Sequence, residues 1–229
     1  MNARMYAVTP AVEAAWRALL EHITREAEVA LDYLPYPAPQ PLETLWSRPD
    51  LGAVFMCGYP IALQLAPVVP IAAPIPRVNW AEGRAVYRTD LIVREDAAYR
   101  TLEDTFGGRA GWTVEHSHSG FNALRHHLLA YRTPQRPALY GEMVGNLVTA
   151  RNVLDSVRAG RIDVGPLDAY WHLLMARHAP DLTDDEVGAI HGSPLGPLHP
   201  RDRRGDRHDR CELQRDRIAA HEYRAEIRP

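Results

Sequence analysis

The chain has 229 residues, 46% of them apolar and 24% charged, and a net charge of −3, enough to bury a core as one or two domains. There is no concentrated basic face in the first 190 residues, which excludes nucleic acid as a partner. No run approaches the ~18 to 20 apolar residues that insert in a membrane, and two cysteines, Cys57 and Cys211, are too few for a disulfide framework.

The N-terminal stretch MNARMYAVTPAVEAAW lacks signal-peptide character, because Thr9, Pro10 and Glu13 interrupt its apolar run. A cytoplasmic location is expected on that ground, or a periplasmic one if a leader has been removed. Residues 5–8 read as a short strand, and Thr9-Pro10 is a helix start. Val12, Trp16, Leu19, Ile23 and Ala27 then recur at helical spacing and predict one apolar face. Residues 29–34 read as a second strand. Pro35, Pro37, Pro39 and Pro41 break the chain before a short helix over 42–47. The continuous apolar run LGAVFM at 51–56 predicts a strand covered on both faces. Strands alternating with helices in this way predict an α/β fold with a parallel sheet.

Residues 62–76 (ALQLAPVVPIAAPIP) are apolar and proline-rich, the composition of a buried extended connection or edge strand. Strand character resumes over 85–93. A helix over 102–106 ends in glycines, and residues 112–114 form a strand running into EHSHSG at 115–120. Phe121, Leu124, Leu128 and Tyr131 predict a further amphipathic helix, and residues 151–159 another, closed by Gly160. A strand at 162–164 precedes a helix opening at Pro166. The second set of elements repeats the first, so two α/β lobes are expected, joined near 80–90: one over 1–84, with part of 175–190 returning to it, and one over 85–174. Residues 191–229 differ in kind. Twelve of the 17 residues from 201 to 217 are charged, which predicts disorder. All 26 basic residues of the chain are arginine, the mark of a GC-rich gene, and the tail resembles such a gene read out of frame.

The stretch EHSHSG admits three readings. Serine before a helix caps first-turn amides. The same free N–H groups, at the positive end of the helix dipole, attract an anion, and Ser117, His118, Ser119 and Gly120 would form its cradle. The alternating histidines could instead hold a metal, but zinc needs three or four convergent ligands and neither HExxH nor paired CxxC is present. On an extended turn Ser117 and Ser119 would project to one side. Cys57 ends an apolar strand, the setting of a packed core residue more often than of a nucleophile. Tyr59, just beyond that strand, lies where ligands bind in open α/β sheets. Tyr87 is a further candidate, and Asp168 falls where a carboxylate complements a helix dipole.

The combination of CGYP at 57–60, SHSGFNALR at 117–125 and GRIDVGPLDAYWHLL at 160–174, in that order, resembles the phosphate/phosphite/phosphonate-binding branch of the type 2 periplasmic solute-binding proteins, the phosphonate-receptor-like group, in its signal-less form. The resemblance covers residues 5–190. It implies two α/β lobes, each a sheet flanked by helices, closing on a ligand in the cleft between them. It further implies that the serine-rich turn holds phosphate or phosphonate oxygens, that aromatic residues line the cleft, and that Asp168 faces the ligand's substituent. Thr149 stands where relatives carry a serine one helix later, and Phe121 replaces their usual tyrosine. The function implied is that of a solute-binding protein for a small oxyanion, with no cofactor and no catalysis, delivering to an ABC-transporter permease. The alternatives are an enzyme on the same fold, resembling thiamine-pyrimidine precursor synthases, or a cytosolic ligand sensor.

Overall fold

The structure is a computed structural model and describes residues 1–86, 88–182 and 187–189. The strong local signals of the sequence become elements. Thr9 Oγ1 accepts from Val12 N at 3.3 Å and Pro10 opens α1 (Pro10–Glu26), the cap-then-proline order expected of a helix start. Of its predicted apolar face only Val12 is buried, and Ile23 is 50% exposed. The short helices α2 (Leu42–Trp46) and α3 (Gly58–Ala62) follow. Leu45 and Trp46 of α2 are buried with Tyr36, and Leu34, Leu51, Val54 and Met56 pack on them as the first core.

The strands predicted in this N-terminal part do not form as strands. Residues 4–6 wind into a 3-10 turn (Arg4–Tyr6), because Asn2 Oδ1 accepts from Arg4 N at 2.9 Å and Ala3 O from Tyr6 N at 3.1 Å. The chain therefore leaves its neighbours after three residues. Residues 29–34 and 51–56 do run extended beside residues 1–3, through Leu34 N to Met1 O at 2.8 Å and Asn2 N to Ala53 O at 3.0 Å. Only the single parallel bridge Asn2–Val54 results. Pro35 and Pro37 supply no N–H with which residues 29–34 could prolong a ladder.

In the following part, β1 (Thr89–Arg94) lies between β4 (Gly165–Asp168) and β5 (Val187–Ala189), antiparallel to both. The expected parallel pairing appears between β2 (Arg109–Gly111) and β3 (Glu142–Val144), and as a single bridge between Ala110 and Val164. The strand expected at 112–114 therefore starts three residues early, although Leu147 N and Val148 N still bond the carbonyls of Trp112 and Thr113 at 3.2 Å each. The helix expected over 102–106 is a 3-10 turn, Glu103–Thr105. The helix expected at Pro166 starts later, because Pro166 lies in β4 opposite Leu91. Asp168 Oδ1 accepts from Tyr170 N at 2.8 Å and Trp171 N at 3.0 Å, so α6 is Ala169–His178. A carboxylate cap outweighs a proline as the start signal.

Helix α5 (Ala150–Arg158) is capped by Thr149, and Gly160, at φ +62°, ends it as expected of a C′ glycine. Its Val153, Leu154 and Val157 are fully buried against Ile92, Ile162, Leu167, Trp171 and Met175. At about 1.5–3 kcal/mol per buried aliphatic side chain, this face fixes α5 on the sheet. Tyr6 and Val8 of the N-terminal part pack against the same core. Residues 191–229, including the charged stretch read as a tail, lie outside the described residues, as does Tyr87.

Candidate functional site

The site is built on the segment that follows β2. Ser117 takes an extended conformation and its Oγ accepts from Gly120 N at 3.0 Å, while its carbonyl accepts from Asn122 N at 3.0 Å. A π-helical turn, His118–Asn122, follows directly and continues through α4 (Ala123–His127) into a 3-10 turn, Leu128–Tyr131. Leu124 and Leu128 are buried, so the predicted amphipathic face anchors this composite helix. Single-turn π-helices occur disproportionately at functional sites. The extended alternation expected for Ser117 and Ser119 does not occur. Ser117 is the cap and Ser119 lies buried inside the turn, since the Asn122 bond to Ser117 O starts the helix at His118.

His116 turns away from this mouth. Its Nδ1 lies 2.9 Å from Glu43 Oε1 of α2, and its ring meets Trp46 edge-on at 5.3 Å. Among the described residues no group of three or more His, Cys, Asp or Glu is placed to hold a metal. Helix α3 packs against the π-helical turn from the N-terminal part, with the Tyr59 ring 6.4 Å from that of His118.

Asp168 reaches the same neighbourhood through β1. Thr89 is its register partner, and Thr89 Oγ1 donates to Ser119 O at 3.2 Å. One strand residue thus ties the serine turn to the acidic cap of α6. Asp168 is buried, and Tyr6 donates its hydroxyl to Asp168 Oδ2 at 3.2 Å. Burial pushes the Asp168 carboxyl up to about 6, against the pull of the Trp171 and Tyr170 amides and the Tyr6 hydroxyl. Desolvation also raises the Tyr6 phenol well above its ordinary value, and the facing carboxylate adds to it. Around this pair Tyr6 meets Tyr170 at 5.2 Å and Phe55 at 5.7 Å, both edge-on, and Trp16 stands 5.0 Å from Phe55. One residue further along β1, Asp90 accepts from Arg88 and lies 3.0 Å from His172 Nδ1.

Ser117, His118, Ser119, Gly120, Tyr59 and Asp168 are thus brought together around one region. Thr149 is engaged elsewhere, at the start of α5. Its hydroxyl caps α5 through Asn152 N at 3.1 Å, and its neighbour Val148 bonds Thr113. Sequence reasoning missed Tyr6 and Thr89. A tyrosine inside an apolar run needs a partner for its hydroxyl when buried, which marks Tyr6, but the partner lies 162 residues away. Thr89 carries no signal of its own.

The comparisons with known proteins fit this geometry. The family model for the ABC transporter, phosphonate, periplasmic substrate-binding protein matches residues 7–201. The chain belongs to that family, whose members bind substrate for import and are not enzymes. A search of curated proteins finds no significant match. Among solved structures, the chain is similar to a binding protein component of an ABC phosphonate transporter from Pseudomonas aeruginosa. The TM-score is 0.59 at 14% identity, over 94% of this chain and 72% of that one. It is similar to PhnD1 from Prochlorococcus marinus in complex with methylphosphonate, with a TM-score of 0.57 at 15% identity over 82% and 70% of the two chains. An ancestral arginine-binding protein bound to glutamine gives 0.54 at 13% identity over 96% and 88%. These likenesses establish the two-lobed binding-protein fold. No helix among the described residues is long and apolar enough to cross a membrane.

Proposed function

We propose that the protein binds a phosphonate or phosphate at the mouth of the Ser117–Tyr131 segment and presents it to a transporter permease. The observation that carries the reading is the tie through Thr89, which joins Ser119 on one side to Asp168 on the other. Ser117 and Ser119 supply hydroxyl donors at the positive end of the composite helix, and Gly120 lets an oxyanion approach the backbone. His118 and Tyr59 flank this mouth from the two halves of the molecule, residues 1–84 and 85–174, which act as lobes closing on the ligand. Thr149 belongs to the outer wall in this reading.

Asp168 meets the other end of the ligand. A carboxylate buried without a cationic partner is costly, and its surroundings are aromatic rings that favour a cation. A substituent bearing an amine would neutralise it. The preferred ligands are therefore small phosphonates, with amine-bearing ones gaining an ion pair above pH 6, where Asp168 is charged. The family description places such proteins in the periplasm, where an importer collects its substrate, and delivery to a permease is the partner role that follows.

Trp16, Trp46 and Trp112 lie near these elements, so intrinsic fluorescence is a direct readout. Titration with methylphosphonate, 2-aminoethylphosphonate, phosphate and sulfate is expected to give saturable changes with the phosphorus oxyanions and the tightest binding with the aminated ligand at pH 7.5. A flat response to all three phosphorus compounds contradicts the reading.

A further inference from the structure

Thr113 lies immediately behind the serine turn. Both of its backbone groups are used: its N–H donates to Gly120 O at 3.1 Å and its carbonyl accepts from Val148 N at 3.2 Å. The side chain is 6% exposed, and its Oγ1 is buried with no hydrogen-bond partner. Buried hydroxyls are ordinarily satisfied, and valine would fill the same space without that cost. The hydroxyl's position is informative. A Cβ added to Gly120 would overlap Thr113 Oγ1 and come within 2.9 Å of Ser117 Oγ. Both hydroxyls therefore bear on the same face of one glycine.

We propose that Thr113 is a further ligand-binding residue, a donor that converges with Ser117 on one oxygen of the bound anion. The inference rests on the anion reading of the turn and adds a donor to it. Three hydroxyls, those of Thr113, Ser117 and Ser119, then serve the anion, with those of Thr113 and Ser117 sharing one oxygen of the phosphonate or phosphate. The glycine is required because any side chain at 120 would occupy the point where the Thr113 and Ser117 hydroxyls meet.

The test is calorimetric titration of the full chain with methylphosphonate and with inorganic phosphate, together with thermal unfolding, for the parent, Thr113→Val and Thr113→Ser. A charge-assisted hydrogen bond is at stake, so Thr113→Val is expected to bind about 10-fold more weakly or worse, with an unfolding temperature equal to or above the parent's. Thr113→Ser, which keeps the hydroxyl, is expected to stay within about 3-fold of the parent. Parent-like affinity in Thr113→Val overturns the inference and leaves the anion reading intact. Equal weakening in both variants with a lowered unfolding temperature assigns Thr113 to packing and also overturns it. A parent that binds neither probe defeats the anion reading itself, and this inference with it.

Discussion

Replacing Ser117 and Ser119 together by alanine is expected to weaken phosphonate binding on the order of 100-fold or more. Each hydroxyl donates a charge-assisted hydrogen bond in the proposed complex, worth about 1.5–3 kcal/mol net, and about 1.4 kcal/mol is tenfold in affinity. The structural role of Ser117 is separable from this. Its Oγ accepts from Gly120 N, so its loss removes a cap and costs about 1 kcal/mol of stability. A pure cap role would lower the unfolding temperature and leave affinity within about 3-fold of the parent. Calorimetric titration with methylphosphonate beside thermal unfolding distinguishes the two outcomes in one pair of proteins.

Asp168→Asn is expected to stabilise the unliganded protein at pH 7.5 by up to about 3 kcal/mol. The sign follows from linkage. The folded carboxyl is raised to about 6 from an ordinary 3.8, so the folded state takes up a proton more readily than the unfolded one. The stability contribution is most favourable below pH 4, is lost as pH rises toward 6, and stays lost above. Asparagine carries no charge to desolvate. Its side-chain oxygen can keep the bonds from the Tyr170 and Trp171 amides, and its nitrogen can donate to the Tyr6 oxygen. The gain should therefore shrink as pH falls from 7.5 to 4. The same variant should lose preference for 2-aminoethylphosphonate over methylphosphonate, because the ion pair is gone. A protein that carries a removable cost at one buried acid is trading stability for a site. If Asp168→Asn is less stable than the parent at pH 7.5 and equally selective, Asp168 is only a helix cap.

The elements legible from sequence are those whose signals are local. Thr9-Pro10 and the spacing after it announce α1, and Val153, Leu154 and Val157 with Gly160 announce α5 and its end. The serine turn was legible for the same reason, since Ser117 caps within three residues. What escaped depends on distant partners. Residues 51–56 have strand composition, but their fate turns on a three-residue contact with Met1–Ala3 that Arg4 ends. Pro166 reads as a helix start, but the chain there pairs with β1 opposite Leu91, and the helix waits for the Asp168 cap. The site escaped in proportion: Ser117 to Gly120 and Asp168 carry their chemistry in their own neighbourhoods. Tyr6 acquires its role only by reaching Asp168, Thr89 only by bonding Ser119 O beside Asp168, and Thr113 only when its N–H bonds Gly120 O and sets its hydroxyl against the turn.

The central claim is that the mouth at Ser117–Gly120 holds the oxyanion while Asp168 faces its substituent. A crystal structure of the full chain grown with 2-aminoethylphosphonate tests it most directly. The account predicts phosphonyl oxygens at hydrogen-bond distance, ~2.7–3.0 Å, from the hydroxyls of Ser117 and Ser119, with the amine directed to Asp168. A phosphonyl group bound away from the serine turn, or an amine directed to solvent with Asp168 bonded to Tyr6 and the helix amides alone, would contradict it.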